Sequence, residues 1–519
     1  MQFVMPFMLA MVVTMAAIPV FARVAGQWLY VDFPGGRKVH ETPIPRIGGL
    51  AIAAGVFVAA AIAIPLRSQD LWFLAATALL VLFGALDDRL NLDYRIKLAG
   101  QLIAVGLAVF AGGVRIQSIT LDDRMMLPVW LSLPLSVVFL VGITNAINLA
   151  DGLDGLAGGT TFLCLCAIAL LSTFAHQWIS ATLAATFAGA VLGFLPFNTY
   201  PASVFMGDAG SQLLGFAIGV LSVRATQNPL SLISTATPIL LLAVPILDTL
   251  SVMVQRVAEG SSPFHGDKNH IHHKLLALGF AHHEAVIVIY AVQALLFVMA
   301  YLLRFESDVL ILAVVGGFFF VAIGSLQVAA HRGWRLRQDA EQAADTPLRV
   351  AVIAKHQVWL TLWSYRAIAA SLSMYAALVV AETEPVRRNF RILALGLLGV
   401  LVAFFAILRV DPLSIVEKVA VYVVITLIVY LDVGVVHHDP LVMSLSWIPI
   451  GIMGTASVIR TRAIADRRFQ LTPLDLIILF IVLVVPNLPG ILRVSQAVAL
   501  AIAKLFILFF AIEVLFSRA

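Results

Sequence analysis

Long apolar runs, separated by short polar loops, make up most of this chain. A helix that crosses the hydrocarbon needs about 20 apolar residues, whereas a half-buried strand would alternate apolar and polar positions. Because only helices and closed barrels satisfy their backbone groups inside lipid, these continuous runs predict membrane-spanning helices. We place about eleven spans in the first part of the chain, at residues 3–22, 47–66, 71–86, 98–112, 130–149, 160–176, 178–197, 211–223, 236–255, 284–303 and 308–330.

A polar stretch from His331 to about Gln357 interrupts this pattern. Beyond it, about six further spans are predicted at residues 364–381, 391–408, 419–436, 441–458, 472–489 and 495–515. The pattern therefore predicts an all-α polytopic membrane protein with two domains, 1–330 and 331–519. The role of the second domain stays open, because no motif in it points to a chemistry.

Composition supports lipid as the main solvent of the chain. The residues are 61% hydrophobic and 12% charged, with a mean hydropathy of +1.00, whereas soluble domains are roughly half apolar and a quarter charged. This excludes a soluble protein, because too little polar sequence remains to cover a globule. The net charge of +4 is small and scattered, which argues against a nucleic-acid-binding surface.

The distribution of Lys and Arg predicts the orientation of the spans, because basic residues collect in cytoplasmic loops. With the N-terminus outside, the cytoplasmic loops hold about 22 basic residues and the other loops about 9. Only the loop with Arg387 and Arg388 departs clearly from this rule. Every dense polar cluster of domain 1–330 falls on the side predicted to be cytoplasmic, and charges near spans tend to line functional cavities.

The first cluster is the acidic pair Asp87 and Asp88, at the end of the third predicted span, followed by Lys97. Paired carboxylates at a membrane surface can hold Mg²⁺ or act as a base, because a hard cation prefers oxygen ligands and each carboxylate changes the pKa of its neighbour. A solvated helix end with salt bridges explains the same residues. We assign a second acidic pair, Asp122 and Asp123, in a loop predicted outside, to that simpler explanation.

The second cluster consists of Asn145, Asn148, Asp151 and Asp154, spaced three apart and followed by glycines. At this spacing the side chains share roughly one helical face, and the glycines let the backbone approach a phosphate closely. An EF-hand is excluded, since Leu, Ala and Gly occupy the positions that it needs for oxygen ligands. A capped helix end with a glycine turn is the structural alternative.

The third cluster combines the amide of Asn198, the ring of Phe205 and the carboxylate of Asp208, which lies beside glycines. Together these groups can pair with a base, stack on it and hold the metal of its phosphate. Alone, the segment is equally well explained as a polar loop between two helices.

The fourth cluster is the loop 262–274, which contains His270, His272 and His273 together with two lysines. These side chains can donate hydrogen bonds to phosphate oxygens, and the imidazole charge is adjustable near neutral pH. Zinc binding is the weaker alternative, because the loop has no cysteine and two adjacent histidines suit one tetrahedral ion poorly.

The loop after the first span carries Lys38 and Arg46 among closely spaced prolines. Its basic residues suit anionic lipid head groups or a substrate diphosphate. A basic loop that only sets the orientation of the spans is the alternative.

Together and in this order, these segments resemble the polyprenyl-phosphate N-acetylhexosamine-1-phosphate transferase family, which is glycosyltransferase family 4. The resemblance covers about residues 1–330 and rests on the following motifs: Arg37-Lys38-x-His40 with Pro43-x-Pro45-Arg46-x-Gly48-Gly49, Asp87-Asp88, Asn145-x-x-Asn148-x-x-Asp151-Gly-x-Asp154-Gly, Phe205-Met-Gly-Asp208-x-Gly-Ser211, and His270-Ile-His272-His273. The His-x-His-His form resembles the branch that uses UDP-N-acetylglucosamine.

The resemblance implies transfer of a sugar 1-phosphate, with N-acetylglucosamine as the expected sugar, from a UDP-sugar to undecaprenyl phosphate, with release of UMP. It implies a Mg²⁺ cofactor, with Mn²⁺ as a substitute, and a role in starting cell-envelope polysaccharide synthesis, including lipopolysaccharide. The expected location is the bacterial inner membrane, with the active site facing the cytoplasm. The expected partners are the lipid bilayer and the two substrates, undecaprenyl phosphate and the UDP-sugar. A homodimer is an option, and no binding of nucleic acid is expected.

The resemblance also implies roles for individual residues. Asp208, Asn148 and Asp88 resemble ligands of the metal and diphosphate, Asp87 and Asp88 resemble the catalytic carboxylates, and Lys97 resembles the residue that meets the polyprenyl phosphate. Asn198, Asp154 and Phe205 resemble the uridine site, with Phe205 as the stacking ring. The histidines His270, His272 and His273 are expected to act at the diphosphate or the sugar, and the other expected substrate contacts are Lys38, Arg46, Asn145 and Asp151.

Two mechanisms and two other functions stay open at this point. Direct in-line attack by the acceptor phosphate is preferred, because phosphoryl transfer needs positioning and charge neutralisation more than covalent help. A phosphorylated aspartate is the rival intermediate. A membrane prenyltransferase would instead use prenyl diphosphate as its donor, and a lipid-carrier flippase or transporter would move substrate without making UMP.

Overall fold

The computed structural model describes residues 3–25, 30–32, 43–121, 123–228, 231–260 and 270–336, together with scattered positions and short stretches from residue 363 onward. Among the latter is an 11-residue helix, Pro473–Leu483. The predictions for Lys38 and for residues 262–269 lie outside the described residues, as do most of those for 331–519.

The described part of the chain is mostly helical. Its helices up to residue 336 are α1 (Val4–Ala25), α2 (Gly48–Ala63), α3 (Ser68–Leu90), α4 (Tyr94–Gly106), α5 (Val129–Ala150), α6 (Leu156–Phe174), α7 (Trp178–Asn198), α8 (Gly207–Gln227), α9 (Thr237–Leu241), α10 (Ala243–Ala258), α11 (Ile271–Ala277), α12 (His282–Leu302) and α13 (Asp308–His331). A π-helical turn, Leu107–Ala111, continues α4. Eight described helices are long and apolar enough to cross a membrane, namely α1, α3, α4 with its π-helical turn, α5, α6, α7, α12 and α13. The all-α polytopic class is confirmed, and the number of spans stays a prediction.

Three of the predicted spans differ from the helices observed. The run 47–66 gives α2, which has 16 residues and is shorter than a full span. The run 211–223 is part of the longer and more polar helix α8. The run 236–255 is divided into α9 and α10 at Leu242, and each of the two helices has a proline within its first three residues, where a missing N–H costs least.

Two short antiparallel ribbons and one extra helix lie in regions predicted to be loops. Strands β1 (Val31–Asp32) and β2 (Ile44–Pro45) pair after α1, and β3 (Ser118–Thr120) pairs with β4 (Arg124–Met126) before α5. The second half of the histidine segment forms α11 rather than a loop. The pattern of apolar and polar positions does not predict elements this short, because its period is only recognisable over a longer window.

Helix α8 lies at the centre of the described bundle and is buried along nearly its whole length. It contacts α2, α3, α5, α6 and α7. Small residues permit the closest of these contacts: a Cβ at Gly49 would lie 2.1 Å from the backbone nitrogen of Gly210, and a Cβ at Gly84 would lie 2.5 Å from Cα of Ala209. The first turn of α8 is therefore held directly against the backbones of α2 and α3.

The chain divides into two compact units, Leu9–Glu341 and a second unit formed by Met1–Met8 with Gln342–Ala519. Within the first unit, α3, α5 and α7 end where α8 begins. We call this end of the bundle the site face, because most of the polar residues singled out above lie there.

The tight contact at Gly84 predicts a specific loss of stability. We expect Gly84→Ala to lower the free energy of unfolding by about 1–3 kcal/mol, because the added methyl group overlaps the backbone of α8 and the helices must separate. Thermal unfolding of the purified protein in detergent measures this change.

Gly142→Ala is the matched control, since Gly142 lies on an exposed face of α5 where a Cβ would meet nothing within 4 Å. We expect this control to be neutral or slightly stabilising, because alanine favours a helix over glycine. Equal midpoints for the two variants would show that α3 and α8 do not touch as described.

Candidate functional site

Four helix ends bring the predicted carboxylates and amides together at the site face. Asp87 and Asp88 lie in the last turn of α3, Asn148 in the last turn of α5 and Asp208 in the first turn of α8. Lys97 lies on the first turn of α4, not in a loop, because the side chain of Asp93 caps that helix by accepting the backbone N–H of Arg95 at 2.9 Å. The acidic pair of α3 and Asp208 thus share one site, although they are separated by about 120 residues.

Lys97 bridges two of these carboxylates. Its Nζ lies 2.5 Å from Oδ2 of Asp87 and 3.4 Å from Oδ2 of Asp208. The Asp87 side chain is 2% exposed, whereas those of Lys97 and Asp208 are 34% and 31% exposed. The buried carboxylate is therefore compensated by the lysine, while Lys97 and Asp208 can both reach a molecule that arrives from solvent.

Asn148 completes this group. Its Nδ2 donates to Oδ1 of Asp208 at 2.7 Å and to Oγ of Ser211 at 2.8 Å. With the amide nitrogen turned toward Asp208 and Ser211, the amide oxygen of Asn148 is the part of the side chain left to accept a hydrogen bond or bind a cation. Asp208 itself retains Oδ2, which faces Lys97.

Asp88 has a different role from Asp87: it caps the start of α8, whereas Asp87 pairs with Lys97. Its two carboxylate oxygens accept the backbone N–H groups of Asp208 at 2.8 Å and Ala209 at 3.1 Å. Gly207 makes this approach possible: it has φ of +73°, and a Cβ there would lie 2.6 Å from Oδ2 of Asp88. Asp88 therefore fixes the backbone that carries Asp208.

A layer of side-chain amides lies one helical turn deeper in the bundle. Asn145 donates to Oε1 of Gln101 at 2.8 Å and to the carbonyl of Val141 at 2.9 Å, and Gln101 donates to Oε1 of Gln212 at 3.4 Å. Sequence reasoning selected Asn145 as a substrate contact but missed both glutamines. Their signal was the spacing, because Gln101 follows Lys97 by four residues and Gln212 follows Asp208 by four.

The segment after α5 is tied to the loop before α8. The backbone N–H of Gly155 donates to Oδ1 of Asn198 at 3.0 Å, and Nδ2 of Asn198 donates to the carbonyl of Val204 at 3.0 Å. Oδ2 of Asp154 accepts the backbone N–H of Ala202 at 3.0 Å. Asn198 is buried and its amide is engaged at both ends, so in this structure it shapes the loops, and its contact with a uridine stays a prediction.

Asp151 and Arg46 interact electrostatically with each other, and Asp151 also interacts with Asp208 of the site. Asp151 is half-buried just after the end of α5, and loss of solvation, followed by the charges of Asp208 and Asp154, raises the pKa of its carboxyl to about 7. The positive charge of Arg46 acts on Asp151 in the opposite direction. Arg46 therefore lies near enough to act on the carboxylates of this site.

Phe205 is held by the segment that contains Arg46. The backbone N–H of Phe205 donates to the carbonyl of Pro45 at 2.9 Å, and its carbonyl accepts the N–H of Gly48 at 2.9 Å. The ring is half-buried. This pairing brings the segment of Arg46 and the Phe205 segment together, and their contacts with a substrate stay predictions.

The histidine segment is anchored by a residue that sequence reasoning missed, Asp248 of α10. Its Oδ2 lies 2.9 Å from Nδ1 of His270, and its Oδ1 accepts the backbone N–H of Ile271 at 2.6 Å. Helix starts need such partners for their N–H groups, and Asp248 supplies one for α11. A lone aspartate inside an apolar run gives no hint in sequence of the helix that it caps.

The side chain of His272, on α11, packs against Gly152, the residue that follows Asp151. A Cβ at Gly152 would lie 2.5 Å from Nε2 of His272, and the rings of His272 and His273 are 4.3 Å apart. Burial, and then the neighbouring His273, lowers the pKa of His272 to about 4. The ring is therefore neutral near pH 7. From the sequence we expected an imidazole charge that is adjustable near neutral pH, and for His272 this expectation is wrong.

The oxygen atoms of Asp208 and Asn148, which lie beside Lys97, are of a kind that suits a magnesium ion. In the described residues no three His, Cys, Asp or Glu side chains form a group that could hold a metal. Asp208 and the amide oxygen of Asn148 are hard oxygen donors, and Mg²⁺ is commonly held by one or two carboxylates, with water and substrate phosphates completing its shell. The donor set therefore fits Mg²⁺ bound together with a phosphate.

The sequence of this chain is similar to those of known transferases. Residues 71–226 match the family described as Glycosyl transferase family 4. The chain is 34% identical over 334 residues to a probable undecaprenyl-phosphate N-acetylglucosaminyl 1-phosphate transferase of Bacillus subtilis, covering 63% of this chain and 91% of the relative.

Two further relatives have related names. A decaprenyl-phosphate N-acetylglucosaminephosphotransferase of Mycolicibacterium smegmatis is 36% identical over 291 residues, 50% of this chain and 72% of the relative. An undecaprenyl-phosphate alpha-N-acetylglucosaminyl 1-phosphate transferase of Escherichia coli K12 is 33% identical over 286 residues, 53% of this chain and 77% of the relative.

The two hydrogen bonds of Asp88 predict a loss of stability in Asp88→Asn. An asparagine has one acceptor oxygen, so its NH₂ group would face one of the two N–H donors of α8. We expect the free energy of unfolding to fall by about 1–3 kcal/mol, measured by thermal unfolding in detergent.

Asp93→Asn is the matched control, because Asp93 uses one oxygen to cap α4 and asparagine is as good an N-cap as aspartate. We expect little change in this variant. If both variants unfolded at the wild-type temperature, Asp88 would not be a structural cap of α8.

Proposed function

Since the chain belongs to glycosyl transferase family 4, together with polyprenyl-phosphate N-acetylglucosaminyl 1-phosphate transferases, we propose that it transfers N-acetylglucosamine 1-phosphate from UDP-N-acetylglucosamine to undecaprenyl phosphate. The second product is UMP. The observation that carries this proposal is the position of Lys97, bridging Asp87 and Asp208 at the end of a membrane bundle.

Charge is the main obstacle to this reaction, because the donor diphosphate and the acceptor phosphate are both anions. Lys97 is one cation of the site and is partly exposed, so it can meet the acceptor phosphate at the membrane surface. Arg46 is a second positive charge near the carboxylates, and it acts on Asp151. Fixed positive charges of this kind favour the approach of two anions without reorganisation at the moment of reaction.

A magnesium ion would be held by Asp208 and the amide oxygen of Asn148, next to Lys97. When bound, Mg²⁺ would supply positive charge to the donor diphosphate, and Mn²⁺ would serve in its place. Asp88 uses both oxygens to fix the backbone of Asp208, so we give it a positioning role beside this ion. Asp87 directs Oδ2 to Lys97, and we assign it the orientation of the acceptor and removal of any remaining proton from its phosphate.

The reaction follows from this arrangement as one in-line displacement. An oxygen of the acceptor phosphate forms a bond with the sugar-bearing phosphorus of the donor, and the bond from that phosphorus to the bridging oxygen breaks. UMP leaves with the electron pair of the broken bond. Positioning and charge compensation suffice for such a transfer, so a phosphorylated aspartate is not required.

We assign the other end of the site to the donor. His272 lies against Gly152 and is neutral near pH 7, so its ring can donate or accept a hydrogen bond with the diphosphate or the sugar. Asp154 and Asn198 fix the loops around Phe205, whose ring is the candidate stacking surface for the base. Lys38, His270 and His273 are further candidates at the diphosphate and sugar.

We further propose that the site face lies at the cytoplasmic side of a bacterial inner membrane. The excess of Lys and Arg in the loops of that side supports this orientation. UDP-sugars are cytoplasmic metabolites, and the product would be the first lipid-linked intermediate of a cell-envelope polysaccharide.

Release of UMP tests the proposal. Purified full-length chain is mixed with undecaprenyl phosphate, Mg²⁺ and one of several UDP-sugars, and UMP is quantified. We expect release with UDP-N-acetylglucosamine, loss of release in EDTA, and a decrease of about 100-fold or more in Asp208→Asn, measured on variant protein that is still folded.

Asp123→Asn makes the same substitution at an exposed position in the β3–β4 ribbon and should keep wild-type turnover. Substrate movement or prenyl transfer without UMP would instead favour the flippase or prenyltransferase alternatives. Near-normal UMP release by Asp208→Asn would contradict the role of that carboxylate.

A further inference from the structure

A cavity of about 380 Å³ opens at the end of the bundle opposite the site face. It lies where α3 and α7 begin and where α6, α8 and the π-helical turn after α4 end. Its lining includes Arg67, Asp70, Arg115 and Arg224. None of these residues takes part in the site described above.

The length of α3 separates the cavity from the candidate active site. This helix has 23 residues and runs from Ser68, beside the cavity, to the acidic pair at its other end. At 1.5 Å per residue it spans roughly 34 Å, which is about the thickness of a bilayer core. The two sites therefore face opposite sides of the membrane.

Positive charge exceeds negative charge in this cavity, because three arginines face one carboxylate. The carboxylate of Asp70 is already engaged, since one oxygen pairs with Arg224 at 2.7 Å and the other accepts the backbone N–H of Arg67 at 2.9 Å. Arg224 also donates to the carbonyl of Gln69 at 2.9 Å. Asp70 and Arg224 thus form the fixed wall of the cavity, and the side chains of Arg67 and Arg115 are left to face a ligand.

Arg115 carries a donor that needs an acceptor. Its Nε is buried and meets no hydrogen-bond partner among the residues that the structure describes. A buried donor without an acceptor is costly, and an anionic oxygen entering the cavity would relieve this cost.

The helix ends around the cavity carry both signs, because two helices begin there and three helical elements end there. The positive ends of the α3 and α7 dipoles point to it, which favours an anion. The negative end of α8 is partly compensated, because Gln177 donates to the carbonyl of Arg224 at 2.6 Å and Arg124 donates to that of Thr226. Trp178 lines the cavity and is 46% exposed, and Leu71 and Trp72, which follow the lining residue Asp70 on α3, are 55% and 43% exposed, as expected for side chains at a lipid surface.

We propose that this cavity binds a phosphate-bearing anion at the membrane face opposite the candidate active site, with Arg67 and Arg115 as its ligands. A lipid head group and free inorganic phosphate offer the same phosphoryl oxygens to these arginines. The exposed apolar side chains beside the cavity let a lipid reach it from the bilayer.

Native mass spectrometry of the purified full-length chain tests the proposal with phosphatidylglycerol, with phosphatidylcholine as the zwitterionic comparison, and with inorganic phosphate. We expect retention of one anionic ligand, weakened about tenfold or more in the double variant Arg67→Gln, Arg115→Gln. Retention of phosphatidylglycerol alone identifies a lipid head group, and retention of inorganic phosphate identifies a free anion. Arg332→Gln, which removes one exposed positive charge at the other end of the bundle, should bind as the wild type does.

If the double variant retained the anionic ligand as strongly as the wild type does, the proposal would be overturned. The absence of any retained anion on the wild-type chain would also overturn it. A second measurement needs no variant: the anionic ligand should protect Arg67 and Arg115 of the wild-type protein from an arginine-specific reagent, and phosphatidylcholine should not. Equal modification with and without the anion would also overturn the proposal.

Discussion

Charged groups at the end of a membrane bundle need compensation, and in this protein Lys97 compensates Asp87 and Asp208 together. Without the ammonium, a buried carboxylate on α3 and a second carboxylate on α8 would face each other at the membrane surface, which is costly. The ends of α3, α4 and α8 therefore have to meet in one register. The same charges make the site suitable for reactants that are themselves anions.

The rest of the bundle supports this arrangement by close backbone contact and by amide hydrogen bonds. Asp88 fixes the first N–H groups of α8, and Gly84 lets the backbones of α3 and α8 touch one turn earlier. Beneath them, the amides of Gln101, Asn145 and Gln212 join α4, α5 and α8 inside the bundle. These polar groups of the interior are thus held by partners on other helices, as the low dielectric of the bilayer demands.

Much of the site could be predicted from the sequence, because its residues lie in compact motifs at the ends of long apolar runs. The three-residue spacing from Asn145 to Asp154 indicates the end of α5, and the glycines around Asp208 indicate the start of α8. The apolar runs also predict most of the long helices, since lipid leaves few alternatives to a helix.

What could not be predicted depends on contacts between distant segments. Nothing in the sequence distinguishes Asp87, which pairs with Lys97, from Asp88, which caps α8, because the difference lies in which neighbour each carboxylate meets. Asp248 lies within an apolar run, and its partner His270 is 22 residues away. Gln212 follows Asp208 by four residues, but its partner Gln101 is 111 residues away, and the spacing does not identify that partner. The neutral state of His272 also follows from its burial against Gly152, which only the fold provides.

We propose that Asp208, Asn148 and Lys97 form one site that holds a divalent cation with the donor. Anomalous diffraction from crystals of the full chain grown with Mn²⁺ and UDP would locate the ion directly. We expect a single strong manganese peak in contact with Asp208 and Asn148 at the site face, with the UDP phosphates beside it. A peak bound elsewhere, with Asp208 and Asn148 away from both the ion and the phosphates, would contradict it.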